Sequence, residues 1–229
     1  MRLPLRAVFV LLPLLLPLAL RLRAEAAPDP FAKWEKEIAA FEEKDRQNPP
    51  PKNAIVFVGS SSIRKWTTLA EDFPHHQVIN RGFGGSQLID SVHFADRIVL
   101  PYEPRMIVVY AGGNDIHAGK MPEQVFADFQ AFVETIRAKL PKTEIAYISI
   151  AGNPSRWAEV EKVKKANGLI EEYITGKPGL RFINVFPQML GSDGQPRPEI
   201  FVEDRLHMNA EGYKLWTGIV APSLPAPDR

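Results

Sequence analysis

The chain has 229 residues, 45% of them hydrophobic and 24% charged, which suits one globular domain with a sizeable core and excludes a low-complexity or disordered chain. Its formal net charge is +1; the first 26 residues hold four Arg and one Glu, so the remainder carries −2, and no dense Lys/Arg stripe is left for a nucleic-acid partner. There is no cysteine, which excludes disulfides, thiolate chemistry and lipid attachment through sulfur.

In chain order, the first feature is a leader pattern. Arg2 and Arg6 flank a Leu-rich stretch from Ala7 to Leu20, and Ala24-Glu25-Ala26 follows. This reads as a signal peptide over residues 1–26 that exports the protein to a periplasmic or extracellular space, leaving no stable membrane span once the leader is removed. The apolar run is shorter than the roughly 20 residues of a spanning helix and contains Pro13 and Pro17. An uncleaved N-terminal anchor is the alternative, because Arg21 and Arg23 make the region before the cleavage site basic.

Residues 27–53 read as a helix and a Pro-rich linker. Asp29 and Pro30 look like N-cap and first helical position, and Phe31, Trp34, Ile38 and Phe41 recur at helical spacing until Asn48-Pro49-Pro50-Pro51. From residue 54 to about 222, apolar strand-like runs at 54–58, 77–79, 106–110, 144–150 and 181–185 alternate with amphipathic stretches at 122–140 and 155–174 and after Asn209, a good N-cap. Residues 223–229 read as a tail. Continuous apolar strands alternating with such helices predict an α/β fold with a parallel sheet covered on both faces. Ligands of such sheets bind beyond the carboxyl ends of the strands, and the distinctive loops of this chain follow predicted strands.

The first of these loops is Gly59-Ser60-Ser61-Ser62. An ordinary turn is one reading. A phosphate cradle is another, but the second Gly and the Lys-Ser/Thr pair are missing. A third is a strand delivering a nucleophilic serine into a tight turn. Asn80-Arg81-Gly82-Phe83-Gly84-Gly85-Ser86 follows the second strand, and its glycines suit close backbone approach or N–H groups aimed at an oxyanion. Gly112-Gly113-Asn114-Asp115 follows the third; Asn114 could offer a side-chain amide, and Asp115 reads as a scaffold or capping residue. Asn153-Pro154-Ser155-Arg156-Trp157 follows the fourth and is the best substrate-loop candidate. Trp66, Phe83, Arg156 and Trp157 are candidate substrate-lining residues. Asp204-Arg205-Leu206-His207 precedes the last helix at a spacing that lets the carboxylate reach the imidazole. His75 and His76 read as a solvated turn, His93 as helical, and His117 as a residue near the Asn114 loop. No His/Asp/Glu set has a metal-ligand spacing, so neither a metal nor a cofactor is expected.

Taken in order, the four loops resemble the SGNH (GDSL-type) hydrolase family, over roughly Ile55 to Trp216. The resemblance implies a three-layer α/β/α sandwich on a five-stranded parallel sheet of flavodoxin-like order 2-1-3-4-5. It implies a nucleophile at Ser61 with Asp204 and His207 as its partners, and an oxyanion hole from the Ser61 and Gly85 N–H groups (Gly82 being second choice) and Asn114. Ser60 departs from the family, which commonly has Asp there. The implied activity is a carboxylic ester hydrolase working through an acyl-enzyme. Its expected substrate is a small ester or acylated carbohydrate, with short or acetyl chains favoured by the export signal. A lysophospholipase or thioesterase acting on longer chains, and a non-catalytic glycan-binding module, are the alternatives.

Overall fold

The computed structural model describes residues 29–227, so the leader pattern lies outside the described residues. From Phe31 onward the chain is one unit. A 3-10 turn, Ala32–Trp34, leads into α1 (Glu35–Gln47). The regular helix therefore starts later than the Asp29-Pro30 signal suggested. The turn before it holds Phe31 in place, whose ring stacks on His93 at 3.8 Å between centroids.

Strands β1 (Ile55–Gly59) and β2 (Val78–Gly82) frame two short helices, α2 (Ser61–Arg64) and α3 (Leu69–Asp72). Next come α4 (Leu88–His93), α5 (Ala95–Ile98), β3 (Met106–Tyr110), α6 (Gly113–His117) and α7 (Pro122–Lys139). β4 (Glu144–Ile148), α8 (Val160–Ile174), β5 (Leu180–Ile183) and α9 (Ala210–Val220) complete the fold. The expected helix from residue 155 is divided: a 3-10 turn, Pro154–Glu159, breaks helical geometry at Arg156 before α8 begins.

The five strands form one parallel sheet in the order β2-β1-β3-β4-β5, as the resemblance implied. β1 sits at the point where the order reverses, with Gly59 opposite Gly82 on one side and Tyr110 on the other. Strand residues alternate between two cores. Val56, Val58, Ile107, Val109 and Tyr147 face α1, α4, α7 and α8; Phe57, Met106, Val108 and Ile148 face α3 and α9. Burial on both faces explains why these strands read as unbroken apolar runs. α9 opens with the Asn209 carboxamide accepting from the Gly212 N–H at 3.1 Å, and Trp216 and Val220 are fully buried. Among the described residues no helix is long and apolar enough to cross a membrane.

Candidate active site

Gly59 makes the first turn possible. Its φ is +135°, and a Cβ there would lie 2.0 Å from the Tyr110 carbonyl oxygen, so only glycine lets β1 end this close to β3. The Ser60 N–H then donates to that carbonyl at 3.0 Å, and Ser60 in extended geometry precedes α2. Ser61 is the first residue of α2, so its hydroxyl emerges beyond the carboxyl edge of the sheet. Its N–H makes no hydrogen bond among the described residues.

The last turn arrives from the far end of the chain. Asp204 Oδ1 accepts from the N–H groups of Leu206 and His207 at 2.9 and 2.8 Å, and its Oδ2 lies 2.6 Å from His207 Nδ1. This local wrap needs Arg205 at φ +57°, a left-handed conformation in a residue with a Cβ. His207 Nε2 stands 2.9 Å from Ser61 Oγ. Loss of hydration raises the Asp204 carboxyl, but hydrogen bonds from the His207 ring and from the two backbone N–H groups outweigh it and hold it well below the usual carboxylate range. A carboxylate that stays ionised beside Nδ1 fixes the tautomer that leaves Nε2 able to accept from the serine. Hydroxyl, imidazole and carboxylate thus form a chain along which a proton can leave Oγ.

The glycine loop after β2 separates its two candidate donors. The Gly82 N–H is occupied by Asn80 Oδ1 at 2.9 Å, and a Cβ on Gly82 would strike the Arg64 backbone at 2.1 Å. Gly82 is therefore a packing glycine. Gly85, at φ +74°, keeps its N–H out of any hydrogen bond among the described residues. Ser86, next along, passes its carbonyl to Asn114 Nδ2 at 3.0 Å. That bond uses one amide hydrogen of Asn114 and leaves the other. Asn114 Oδ1 accepts from Arg156 Nη1 at 3.0 Å, so the amide is held from both ends with its NH₂ on the Ser86 side.

The Asn114 loop is anchored from below. Asp115 is fully buried, accepts from the Leu88 N–H at 3.3 Å, and meets Lys120 Nζ at 3.0 Å; Lys120 also meets Asp128 at 2.6 Å. Asp115 thereby ties α6 to the start of α4, just after the glycine loop. Burial pushes the Asp115 carboxyl up despite Lys120. Lys120 loses hydration too, but it faces two carboxylates, and their attraction raises it above the ordinary lysine value.

The loop after β4 closes the site. Asn167 grips it by accepting from the Ile150 N–H at 2.8 Å and donating to the Ile150 carbonyl at 3.0 Å. Asn153 Oδ1 accepts from the Arg156 N–H at 3.0 Å, and the Ser155 N–H donates to the Arg205 carbonyl at 3.1 Å, stitching this loop to the Asp204–His207 turn.

Ser61, Asn114, Arg156 and His207 line one cavity of about 30 Å³, floored by Tyr110, Ile150, Met189 and Trp216. Three expected lining residues, Trp66, Phe83 and Trp157, lie outside this cavity. Trp66 is buried in the α3–α9 core, packed on Phe57, Phe73 and Trp216, with its indole N–H donated to Asp72. Phe83 is buried against Trp34 and Phe94. Large aromatic rings next to strand ends fill the core here because both sheet faces are covered. Trp157 stacks on Phe186 beside a neighbouring cavity rather than in this one. His117 pairs with Glu159 at 2.8 Å on the surface.

Residues that sequence reading missed are Lys120, Asp128 and Asn167. A signal existed for two of them: Asp128 and Asn167 fall on the apolar faces of α7 and α8, where a polar side chain needs a buried partner.

Residues 56–215 match a family model described as GDSL-like Lipase/Acylhydrolase. Platelet-activating factor acetylhydrolase IB subunit alpha1 of Bos taurus is 25% identical over 168 residues, 69% of each chain. A GDSL-like lipase structure from Bacteroides thetaiotaomicron superposes with TM-score 0.67 at 20% identity, covering 85% of this chain and 96% of that one. A mutant of an acetyl-xylooligosaccharide esterase from Geobacillus Stearmophilus gives 0.61 at 10% identity, covering 78% and 98%. These two structures share the fold.

Proposed function

We propose that this chain, which belongs to the GDSL-like lipase/acylhydrolase family, is an exported serine esterase that removes short, acetyl-type acyl groups from carbohydrates or similar small alcohols. The observation that carries this reading is the continuous relay from Ser61 Oγ through His207 to Asp204, at 2.9 and 2.6 Å. His207 Nε2 accepts the Ser61 proton as Oγ attacks the ester carbonyl carbon. Asp204 holds the ring and stabilises the imidazolium that forms. The oxyanion is received by the Ser61 and Gly85 N–H groups and the second amide hydrogen of Asn114. His207 then protonates the departing alcohol oxygen. Water, deprotonated by the same nitrogen, attacks the acyl-serine and frees the acid.

The size of the cavity supports a short acyl group. A water needs roughly 10–15 Å³ of such space, so about 30 Å³ is room for two or three waters, a size that suits a short acyl group. Relatives named for acetyl substrates, an acetylhydrolase subunit and an acetyl-xylooligosaccharide esterase, support the same choice. Export rests on the leader pattern of residues 1–26.

Covalent labelling by a fluorophosphonate probe, lost in Ser61→Ala, is the expected result; labelling that survives in Ser61→Ala removes Ser61 as nucleophile. p-Nitrophenyl acetate should be turned over far faster than the laurate ester. The reverse order would assign the site to longer chains, and no turnover with no labelling would favour a glycan-binding module.

A further inference from the structure

Arg156 does more than its contact with Asn114 requires. Its Nη1 donates to Asn114 Oδ1 at 3.0 Å and to the Gly113 carbonyl at 3.2 Å. Both acceptors are neutral, and they use the two hydrogens of that one nitrogen. A guanidinium has five N–H donors. Those on Nε and Nη2 make no hydrogen bond among the described residues, and no carboxylate there pairs with Arg156. Glu159, three positions on, is engaged by His117 instead. The free Nε–Nη2 edge is the side of a guanidinium that grips an oxyanion with two parallel N–H···O bonds. It belongs to a half-buried side chain lining the same cavity as Ser61 and His207.

The position of the charge is constrained as well. An acetyl group carries no charge, so under the esterase reading an anionic group recognised beside Ser61 cannot belong to the acyl side. It has to sit on the alcohol that carries the acetyl group. Arg156 is also held firmly enough to select by geometry, since its backbone N–H is capped by Asn153 and the Asn153–Arg156 loop is tied to the Asp204–His207 turn.

Building on the esterase reading, we infer that the Nε–Nη2 edge of Arg156 receives an oxyanion, carboxylate or phosphate, on the alcohol portion of the substrate, so that the preferred substrates are acetyl esters of anionic alcohols such as acidic sugars. One hydrogen bond to an ionised group is worth about 10- to 100-fold, so the pair should give at least that preference in kcat/KM.

The test compares 3-acetoxybenzoate, 3-acetoxyphenyl phosphate and the neutral 3-acetoxybenzamide on the full chain. The expected result is a preference of at least about tenfold for one or both anionic esters; which one leads identifies the oxyanion. Arg156→Met should slow all three, because Asn114 loses its hold, and should also bring the anionic-to-neutral ratio to about one. Arg156→Lys should keep part of the ratio. As a check that needs no variant, benzoate or inorganic phosphate should inhibit the wild-type hydrolysis of p-nitrophenyl acetate competitively, and benzamide should not. A ratio near one in the wild-type protein, a ratio that survives Arg156→Met, or equal inhibition by benzoate, phosphate and benzamide would overturn the proposal. Turnover of p-nitrophenyl acetate, lost in Ser61→Ala, tests the esterase reading separately.

Discussion

The two shoulders of the site are built in opposite ways. The Asp204–His207 turn is local and open: four consecutive residues supply the carboxylate, the imidazole and two of the N–H groups that hold the carboxylate, and the Asp204 side chain is 45% exposed. The Gly113–Asp115 stretch is remote and closed: it is held by Ser86 and Leu88, by Lys120 and by Arg156, which come from three other segments, and Asp115 is wholly buried. In the proposed esterase the turn carries the base that exchanges protons with Ser61, a role suited to a place near water and away from the core. The loop carries a dipole whose worth lies in being fixed before charge develops, and such rigidity comes from the fold. Damage to the turn should therefore be read in turnover, and damage under the loop in stability.

The sharpest way to break this contrast is at the relay. Ser61→Ala and His207→Ala are each expected to lower kcat by about 10⁴-fold or more, while the unfolding midpoint in urea stays within experimental scatter of wild type. A marked loss of stability in either would mean that the turn is also a structural clasp. Asn114→Ala should cost about 10²- to 10³-fold in kcat, the usual loss for one oxyanion donor; fluorophosphonate labelling should be slowed but still detected. An unaltered kcat would remove the amide from the oxyanion hole.

Lys120→Met probes the other side of the contrast. It strands two buried carboxylates, so about 3 kcal/mol of unfolding free energy should be lost in urea titrations. The pH dependence has a definite sign. Lys120 is raised in the folded chain, so its contribution is complete below the unfolded lysine value of about 10.4 and fades only as pH climbs through the higher folded one. The gap between wild type and variant should hold steady from neutral pH to about 10 and narrow above it; a gap that closes below pH 9 would contradict the ion pair. The smallest effect is expected from Arg205→Gly. Glycine accepts φ +57° without strain but adds freedom to the unfolded chain, so stability should move by less than about 1 kcal/mol and kcat by less than about twofold. A large loss of activity would show that the Arg205 side chain itself serves the site.

Much of the architecture was legible because each strand is buried on both faces and each long helix on one, patterns that survive in a bare sequence. The residues of the site were legible as loop signatures, Gly59-Ser60-Ser61 and Asp204-Arg205-Leu206-His207 above all. What misled was the same burial. Trp66 and Phe83 stand beside signature loops, and proximity in sequence suggested a pocket, yet the short helices after β1 and the turn after β2 swing both rings inward. Arg156 was visible as a candidate, but not its grip on Asn114, 42 residues away. The choice between Gly82 and Gly85 likewise needed coordinates, because what separates them is whether an N–H is already occupied.

Taken alone, the sequence determined the kind of sheet, the edge at which chemistry would gather and the short-range bond between Asp204 and His207, since hydrophobic periodicity and close spacing are properties of neighbours along the chain. Only the tertiary structure decided that His207 meets Ser61 across 146 positions, that Asn114 is held by Arg156, and that the cavity between them is small. The reason is physical: strand order and crossover connections set which loops share an edge, and packing against two cores sets how far each side chain can reach.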